Sequence, residues 1–404
     1  MTDGLAARFL TGLAGAGAGG LALAVSGGGD SIAMLHLAAK AGLRVHAVTV
    51  DHGLRPQAAD EAAGVGRICA GIGVPHKTLH WHWDGTGNLQ DAARRGRRTL
   101  MADWALRQGL TTVALAHTRD DVAETFLMRL SRGAGVDGLA AMASDWHANG
   151  VRWLRPLLAV SRADLRDWLV AQGLPWVEDP SNDNPRFDRV RARRALALLA
   201  PTGINAEGLA AVAGHLAEAR MALEAVADAA MVRVVQDRVA GLVLDRDALA
   251  GEAAEIQRRV LVKVILTVAP AGYAPRGHAV QMLLGRLLAG RDGVLAGCRF
   301  QGIKGRLWAF REARAVAGLT AGPGAVWDRR WQIVGDWPPG GQVRALGQGL
   351  VQCDWRATGL PREVLLASPA LWQGDQLIAA PLAGYGAGYS AKSLLPAAGL
   401  HQLP

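Results

Sequence analysis

Cysteine is scarce in this chain, and the three present, Cys69, Cys298 and Cys353, form no C-x-x-C pair. That spacing excludes a zinc knuckle and a disulfide framework and fits a reducing compartment, so a cytoplasmic setting is expected. Membrane-type spans are lacking too. The uncharged stretch from residue 9 to residue 29 is dominated by glycine and alanine and has Asp3 ahead of it. That composition suits neither a signal peptide nor a spanning helix, and no membrane association is expected. Acidic residues are outnumbered, with 35 Asp and Glu against 44 Lys and Arg and a formal charge of +9. A basic balance favours a polyanionic partner, because arginine gains affinity by releasing the counterions condensed on phosphates. Part of the excess equally fits a background bias in a chain rich in Ala, Gly and Arg.

What is present reads as a multidomain globular protein. The 404 residues exceed one ordinary core and suggest two or three domains; half are hydrophobic and a fifth charged, which excludes disorder. From residue 21 a short apolar run followed by a longer helix-like stretch repeats, the texture of βα units in a parallel sheet. The strands expected are 21–25, 44–51, 76–80 and 112–116, and the helices 31–41, 58–71, 90–108 and 121–130. Runs such as "LALAV" and "VHAVTV" suit strands buried on both faces. "SRADLRDWLVAQGL" from Ser161 reads as a helix with a capping serine. Alanine-rich helical sequence fills 206–232, mixed helical sequence continues to about 316, and short strands between Gly and Pro follow. The expected architecture is α/β: an N-terminal Rossmann-like parallel sheet, then a helical domain and a small C-terminal α+β domain. The domain spans expected are 1–200, 201–325 and 326–404.

The first strand runs into "SGGGDS", residues 26–31. A glycine-rich turn between strand and helix presents bare N–H groups at a positive helix N-terminus, where a phosphate can be held. Open α/β sheets bind ligands at the carboxyl ends of their strands, where this turn must lie. It is not G-x-x-x-x-G-K-[ST], because no lysine follows, and not G-x-G-x-x-G, because the third glycine is missing. The pattern S-G-G-x-D-S resembles the PP-loop of the ATP pyrophosphatases, which split ATP between the α and β phosphates. That resemblance implies ATP binding by Ser26, Gly27, Gly28, Gly29, Asp30 and Ser31, with Asp30 a catalytic carboxylate for Mg²⁺, a hard cation that prefers oxygen. The bland alternative is a glycine turn with Asp30 or Ser31 as a helix cap.

Five further segments follow in order: "VDHGLRPQAADEA", "GNLQDAARRGRRTLMADWA", "ALAHTRDDVAETFLMRLSRGAGVDGLAAM", "RPLLAVSRADL" and "EDPSNDNPRFDRVRARR". Together with the loop they resemble the tRNA(Ile)-lysidine synthetase family, densely over residues 20–195 and weakly again at "PALWQGDQLIAAP". The fold implied is the PP-loop type. The activity implied is ligation of L-lysine to C2 of cytidine 34 in the CAU anticodon of tRNA(Ile), through an adenylated tRNA, with AMP and pyrophosphate released. In "AHTRDDVAET", Asp121 and Glu124 fall one helical turn apart on one face; the resemblance gives them lysine binding and sets His117 and Asp120 beside the reacting phosphate. Acidic residues at a helix start also fit a solvated N-terminus. Thr118 stands where the family commonly has a second histidine.

Arg94 and Arg97 match the family's A-R-x-x-R-Y pattern, with Arg98 in the tyrosine's place, and such a pair can clamp ATP or tRNA phosphates. A solvated helix face is the competing reading for Arg95 and Arg98. Arg189 and Arg193 match the arginines that trail the family's substrate-proximal E-D-x-S-N segment; Arg186, Arg191 and Arg194 suit solvent or tRNA phosphate. Val50 and His52, at the second strand's end, suit the adenosine. A tRNA thiolase on the same loop is the nearest rival, but it needs placed cysteines. An ammonia-dependent synthetase leaves the acidic pair and arginine segments unexplained, and a regulatory protein without catalysis leaves Asp30, Asp121 and Glu124 unexplained.

Overall fold

The computed structural model describes residues 2–16, 20–53, 58–83, 85, 89–178, 186–271 and 273–394. Contacts divide the chain into two compact units, Met1–Arg220 and Met221–Pro404. The first begins with α1 (Thr2–Gly12) and then alternates β1 (Leu21–Ala24), α2 (Gly29–Lys40), β2 (Val45–Asp51), α3 (Ala58–Gly71), β3 (His76–His80), α4 (Leu89–Arg107) and β4 (Thr112–Leu115). It continues with α5 (Arg119–Leu130), α6 (Val136–Leu139), β5 (Asp145–Ala148), β6 (Val151–Leu154), α7 (Arg162–Ala171) and α8 (Asp188–Leu199). The helix α9 (Ala206–Val234) crosses the division between the units.

One six-stranded sheet, ordered β3-β2-β1-β4-β6-β5, organises this unit. Neighbours from β3 to β6 run parallel and only β5 is antiparallel. Alternate residues of β1 enter opposite cores. Leu21 and Leu23 pack with Ile32, Leu35, Leu157 and Leu165 from α2 and the α7 side. Ala22 packs with Met101, Trp104 and Trp153 on the α4 side. Covering both faces is why these strands read as continuous apolar runs, and each fully buried Leu contributes about 1.5–3 kcal/mol. The β5–β6 hairpin, absent from the expected strands, turns at Asn149 and Gly150 with φ of +54° and +77°. Asn-Gly is the strongest short-range hairpin signal, and it went unread in "HANGVRWL".

The second unit carries β7 (Val235–Arg238), β8 (Gly241–Leu244), α10 (Arg246–Gly251), α11 (Ala254–Val268), α12 (Gly277–Leu288), β9 (Gly293–Leu295), β10 (Cys298–Ile303) and β11 (Arg306–Arg311). The helical expectation for this stretch holds for α11 and α12, and a five-stranded sheet β7-β8-β11-β10-β9 accompanies them. Its core gathers Val260, Ile265, Leu287 and Phe300. After α13 (Ala313–Val316) come β12 (Trp331–Val334), β13 (Gly341–Ala345), α14 (Arg362–Leu365), β14 (Pro369–Gln373), β15 (Gln376–Ala379) and β16 (Ser390–Ser393). They form two small antiparallel sheets over a separate core with Trp327, Trp331, Val343 and Leu371. Among the described residues no single helix is long and apolar enough to cross a membrane.

Candidate functional site

The turn after β1 is shaped to hold a ligand. Gly27 has φ +90°, a left-handed conformation that a Cβ would strain, and its carbonyl accepts from the Val177 N–H at 3.0 Å. The Ser31 hydroxyl ties the loop, donating to the Gly28 carbonyl at 2.9 Å and accepting from the Ser26 N–H at 3.1 Å. Gly28 is the N-cap of α2 and no side chain caps that first turn. The helix therefore begins with N–H groups available to an anion. Ser26, Gly28, Gly29, Asp30 and Ser31 line a cavity of about 1110 Å³. Gly27 shapes the loop without lining it.

Val50 and His52, at the carboxyl end of β2, form another wall of this cavity. His52 meets Trp81 edge-on, with 5.8 Å between ring centroids. Trp81 fits there because residue 96 on α4 is glycine, where a Cβ would fall 2.0 Å from the indole nitrogen. Burial and then the Arg97 charge hold the His52 pKa down. Among the described residues His52 Nδ1 and Arg97 Nε are both buried without a hydrogen-bond partner, and both residues line the cavity. Buried polar atoms are rarely left unpaired, so two in one wall mark a surface made for a bound group.

His117 follows β4 and also lines the cavity. The Arg155 Nε donates to its Nδ1 at 3.1 Å, which assigns the ring proton to Nε2. Burial, opposed by Asp121 and reinforced by Arg155, pushes its pKa down to about 3. His117 is thus a neutral imidazole with one N–H to donate.

The acidic residues converge on one guanidinium. Arg162, the first residue of α7, donates from Nη1 to Glu124 Oε1 at 2.9 Å, from Nη2 to Asp121 Oδ1 at 3.3 Å and from Nε to Asp30 Oδ2 at 3.3 Å. Its backbone N–H donates to Asp120 Oδ2 at 2.8 Å, so Asp120 anchors the start of α7. Asp120 is not among the lining residues, and its carboxylate serves a helix end. Thr118, in the histidine's place, is fully buried and donates from both N–H and hydroxyl to Asp121 Oδ2, at 2.9 and 3.1 Å. Arg193 Nε donates to Glu124 Oε1 at 3.0 Å, and Arg189 Nη1 lies 3.7 Å from Asp121 Oδ1.

These contacts set the charges. Burial works against the Arg162 cation, but Glu124 and Asp121 outweigh it and raise its pKa. Burial raises Asp121 too, yet the Arg162 charge and the Thr118 N–H hydrogen bond prevail and its carboxyl stays below the ordinary value. For Asp30 burial wins over Arg162, and the carboxyl rises to about 6. Glu124 is 1% exposed, and its Oε2 is buried with no partner among the described residues. A buried anionic oxygen without a donor is costly unless a cation or N–H arrives.

The structure therefore gathers most of the expected residues around one cavity: the loop, Val50, His52, Arg97, His117, Asp121, Arg189 and Arg193. Glu124 lies behind Arg162 and Arg193, while Arg94 is absent from the lining. Of "EDPSNDNPR", residues 179–185 lie outside the described residues; the flanking Glu178 and Arg186 line the cavity. Arg162 was missed by sequence reasoning. The capping serine set it at a helix start, but nothing local announced three carboxylates from residues 30, 121 and 124. No cysteine lines the cavity, and Cys69, Cys298 and Cys353 are all buried.

A parallel sheet with a glycine-rich phosphate seat and a carboxylate at its carboxyl edge defines a PP-loop domain, and residues 2–199 match the family model of that description. The chain is 48% identical to a tRNA(Ile)-lysidine synthase of Ruegeria pomeroyi, over 92% of this chain and 90% of that protein. It is 39% identical to a tRNA(Ile)-lysidine synthase of Zymomonas mobilis, over 73% of this chain and 89% of that one. Among solved structures, a U34-tRNA thiolase, NcsA, from Methanococcus maripaludis aligns at 18% identity and TM-score 0.46, over 54% of this chain and 78% of that one. The chain belongs to the tRNA(Ile)-lysidine synthase family.

Proposed function

We propose that the chain ligates L-lysine to C2 of cytidine 34 in the CAU anticodon of tRNA(Ile), consuming ATP and releasing AMP and pyrophosphate. The observation that carries this reading is the acidic pair beside an ATP-type cavity: Asp121 lines it, Glu124 sits behind Arg162 and Arg193, and Glu124 Oε2 has no donor among the described residues. A substrate ammonium supplies that donor. Membership of the family supports the reaction.

In the first step O2 of the cytidine attacks the α-phosphorus and pyrophosphate leaves. The uncapped N–H groups of α2, Arg97 and the Nε2–H of His117 are suited to hold the phosphates in line, which is catalysis by positioning and charge compensation. Asp30 fits a Mg²⁺ ion. It is a half-buried carboxylate facing the cavity, engaged by Arg162 on Oδ2 and with no partner on Oδ1 among the described residues. Among the described residues no group of three His, Cys, Asp or Glu that could hold a metal is found, so Asp30 is the residue that would hold the ion. Held there, such an ion would supply positive charge toward the leaving pyrophosphate.

In the second step the ε-amine of lysine, oriented by Asp121 and Glu124, attacks C2 and expels AMP. The amine must shed a proton, and His117 is a poor acceptor because burial holds its basicity far below neutrality. The thiolase alternative loses support, since the thiols are buried and none lines the cavity. A cytoplasmic setting belongs to the proposal, as do RNA-binding roles for residues 201–325 and 326–404. The test uses purified protein, ATP, Mg²⁺, labelled lysine and two CAU transcripts, one of isoleucine type and one of methionine type. Lysine should enter only the isoleucine-type transcript, with AMP and pyrophosphate released; active, folded protein that labels neither would sink the reading.

A further inference from the structure

One face of α4 carries positive charge that no carboxylate among the described residues neutralises. Arg94, Arg97 and Arg98 stand at i, i+3 and i+4, the spacing of a single helix face. None of the three has a carboxylate or hydrogen-bond partner among the described residues. Arg95, one step round the helix, is different: its Nη1 lies 2.8 Å from Asp91 Oδ2.

Arg155, at the carboxyl end of β6, feels the charges of Arg94 and Arg98. Its Nε donates to His117, its Nη1 donates to the Ala143 carbonyl, and its guanidinium lies 4.1 Å over the Trp146 ring. Trp146 in turn stacks on the fully buried Trp153, with 5.9 Å between centroids. The guanidinium is therefore fixed before any ligand arrives. On α5, Arg129 is held by the Gly138 carbonyl at 2.8 Å. Burial, then Arg94 and Arg98, push the Arg155 pKa down to about 10, and burial, then Arg94, depress Arg129. Cations from three elements are thus within electrostatic reach of one another, an arrangement that an anion relieves.

That anion is not the bound ATP. Arg97 lines the cavity, but Arg94, Arg98, Arg129 and Arg155 do not. Arg155 touches the lining residue His117 through its Nε–H without lining the cavity itself. We propose that Arg94, Arg98, Arg129 and Arg155 form a separate phosphodiester site, which grips the RNA backbone beside the nucleotide whose base enters the cavity past His117. The inference rests on the RNA-ligating reading above and extends it to the position of the strand.

The test compares the full chain with R94A/R98A and with R95A, measuring binding of an anticodon stem-loop RNA over a range of salt and, separately, binding of ATP. The double variant should bind RNA at least about tenfold more weakly, with a log–log salt slope shallower by about 2, while ATP affinity is unchanged. R155Q should weaken RNA binding in the same sense, and R95A should stay near wild type. An unchanged RNA affinity in R94A/R98A, an equal loss in R95A, or a loss of ATP affinity instead would overturn the site. Wild-type protein that shows this RNA pattern yet never incorporates lysine would sink the ligation reading alone.

Discussion

Each compact unit buries an arginine-carboxylate cluster, and the two are built to opposite rules. In the first unit one guanidinium, Arg162, serves Asp30, Asp121 and Glu124, and Glu124 still has an oxygen without a donor. In the second unit one carboxylate, Asp328, serves two guanidiniums. Arg311 bonds both of its oxygens at 3.0–3.1 Å, and Arg330 bonds Oδ2 from Nε and Nη2 at 3.2 and 3.0 Å. The second cluster closes on itself and lines no part of the cavity. The first is left open toward a cavity. Buried ion pairs alone say little about function, because structural networks look the same pair by pair. What distinguishes them is whether an acceptor is left over.

The largest test of this contrast is Asp30→Ala, which should cut AMP formation by about a thousandfold or more while the protein stays folded. Loss of folding with AMP formation retained by the folded fraction would make Asp30 structural and erase the contrast. Asp328→Ala should behave conversely. It strands Arg311 and Arg330 in a buried setting, at a cost of about 3–5 kcal/mol, and calorimetry should show a clearly lower Tm with KM for ATP unchanged. A variant as stable as wild type would mean that the second cluster is not structural.

Much of the first cluster was legible because its members sit in local patterns. "SGGGDS" named Asp30, and "AHTRDDVAET" set Asp121 and Glu124 on one helical face. The strands β2 and β3 were readable to within a residue; burial writes an apolar run into β2, whereas β3, the polar HKTLH at the sheet edge, carries no such run. Arg162, Arg155 and Trp81 were not legible. Their roles come from contacts across 38 residues or more for Arg162 with Glu124 and Arg155 with His117, and no local period encodes such a meeting. The second unit fared worse for a related reason. Its sheet β7-β8-β11-β10-β9 is antiparallel with short strands, so "VQDRVAGLVL" passed as part of the mixed helical sequence expected to about residue 316.

The leftover acceptor can be probed with little steric change. Glu124→Gln keeps the shape and removes the charge, so the KM for lysine should rise about 10- to 100-fold, with tRNA adenylation, read as AMP formation without lysine, less affected. Equal loss in both steps would mean that Glu124 only steadies Arg162. The buried charge balance would then resemble that at Asp328.

The last test separates neutral from charged partners in the same cavity. His117 is held neutral, its pKa pushed from 6.5 down to about 3 by burial in the main. A histidine depressed on folding contributes stability that is complete above its unfolded pKa and is lost as pH falls below it, because the unfolded chain binds the proton first. Between pH 6.5 and 3 this group therefore adds a slope of up to about 1.4 kcal/mol per pH unit to the wild-type loss of stability. His117→Gln removes the titration, so its denaturation free energy should fall less steeply over that window and match the wild-type slope above pH 7. Parallel curves throughout would mean that the ring is already protonated beside Asp121, and His117 would then belong with the charged partners of the acidic group instead of with the neutral donors of the phosphate seat.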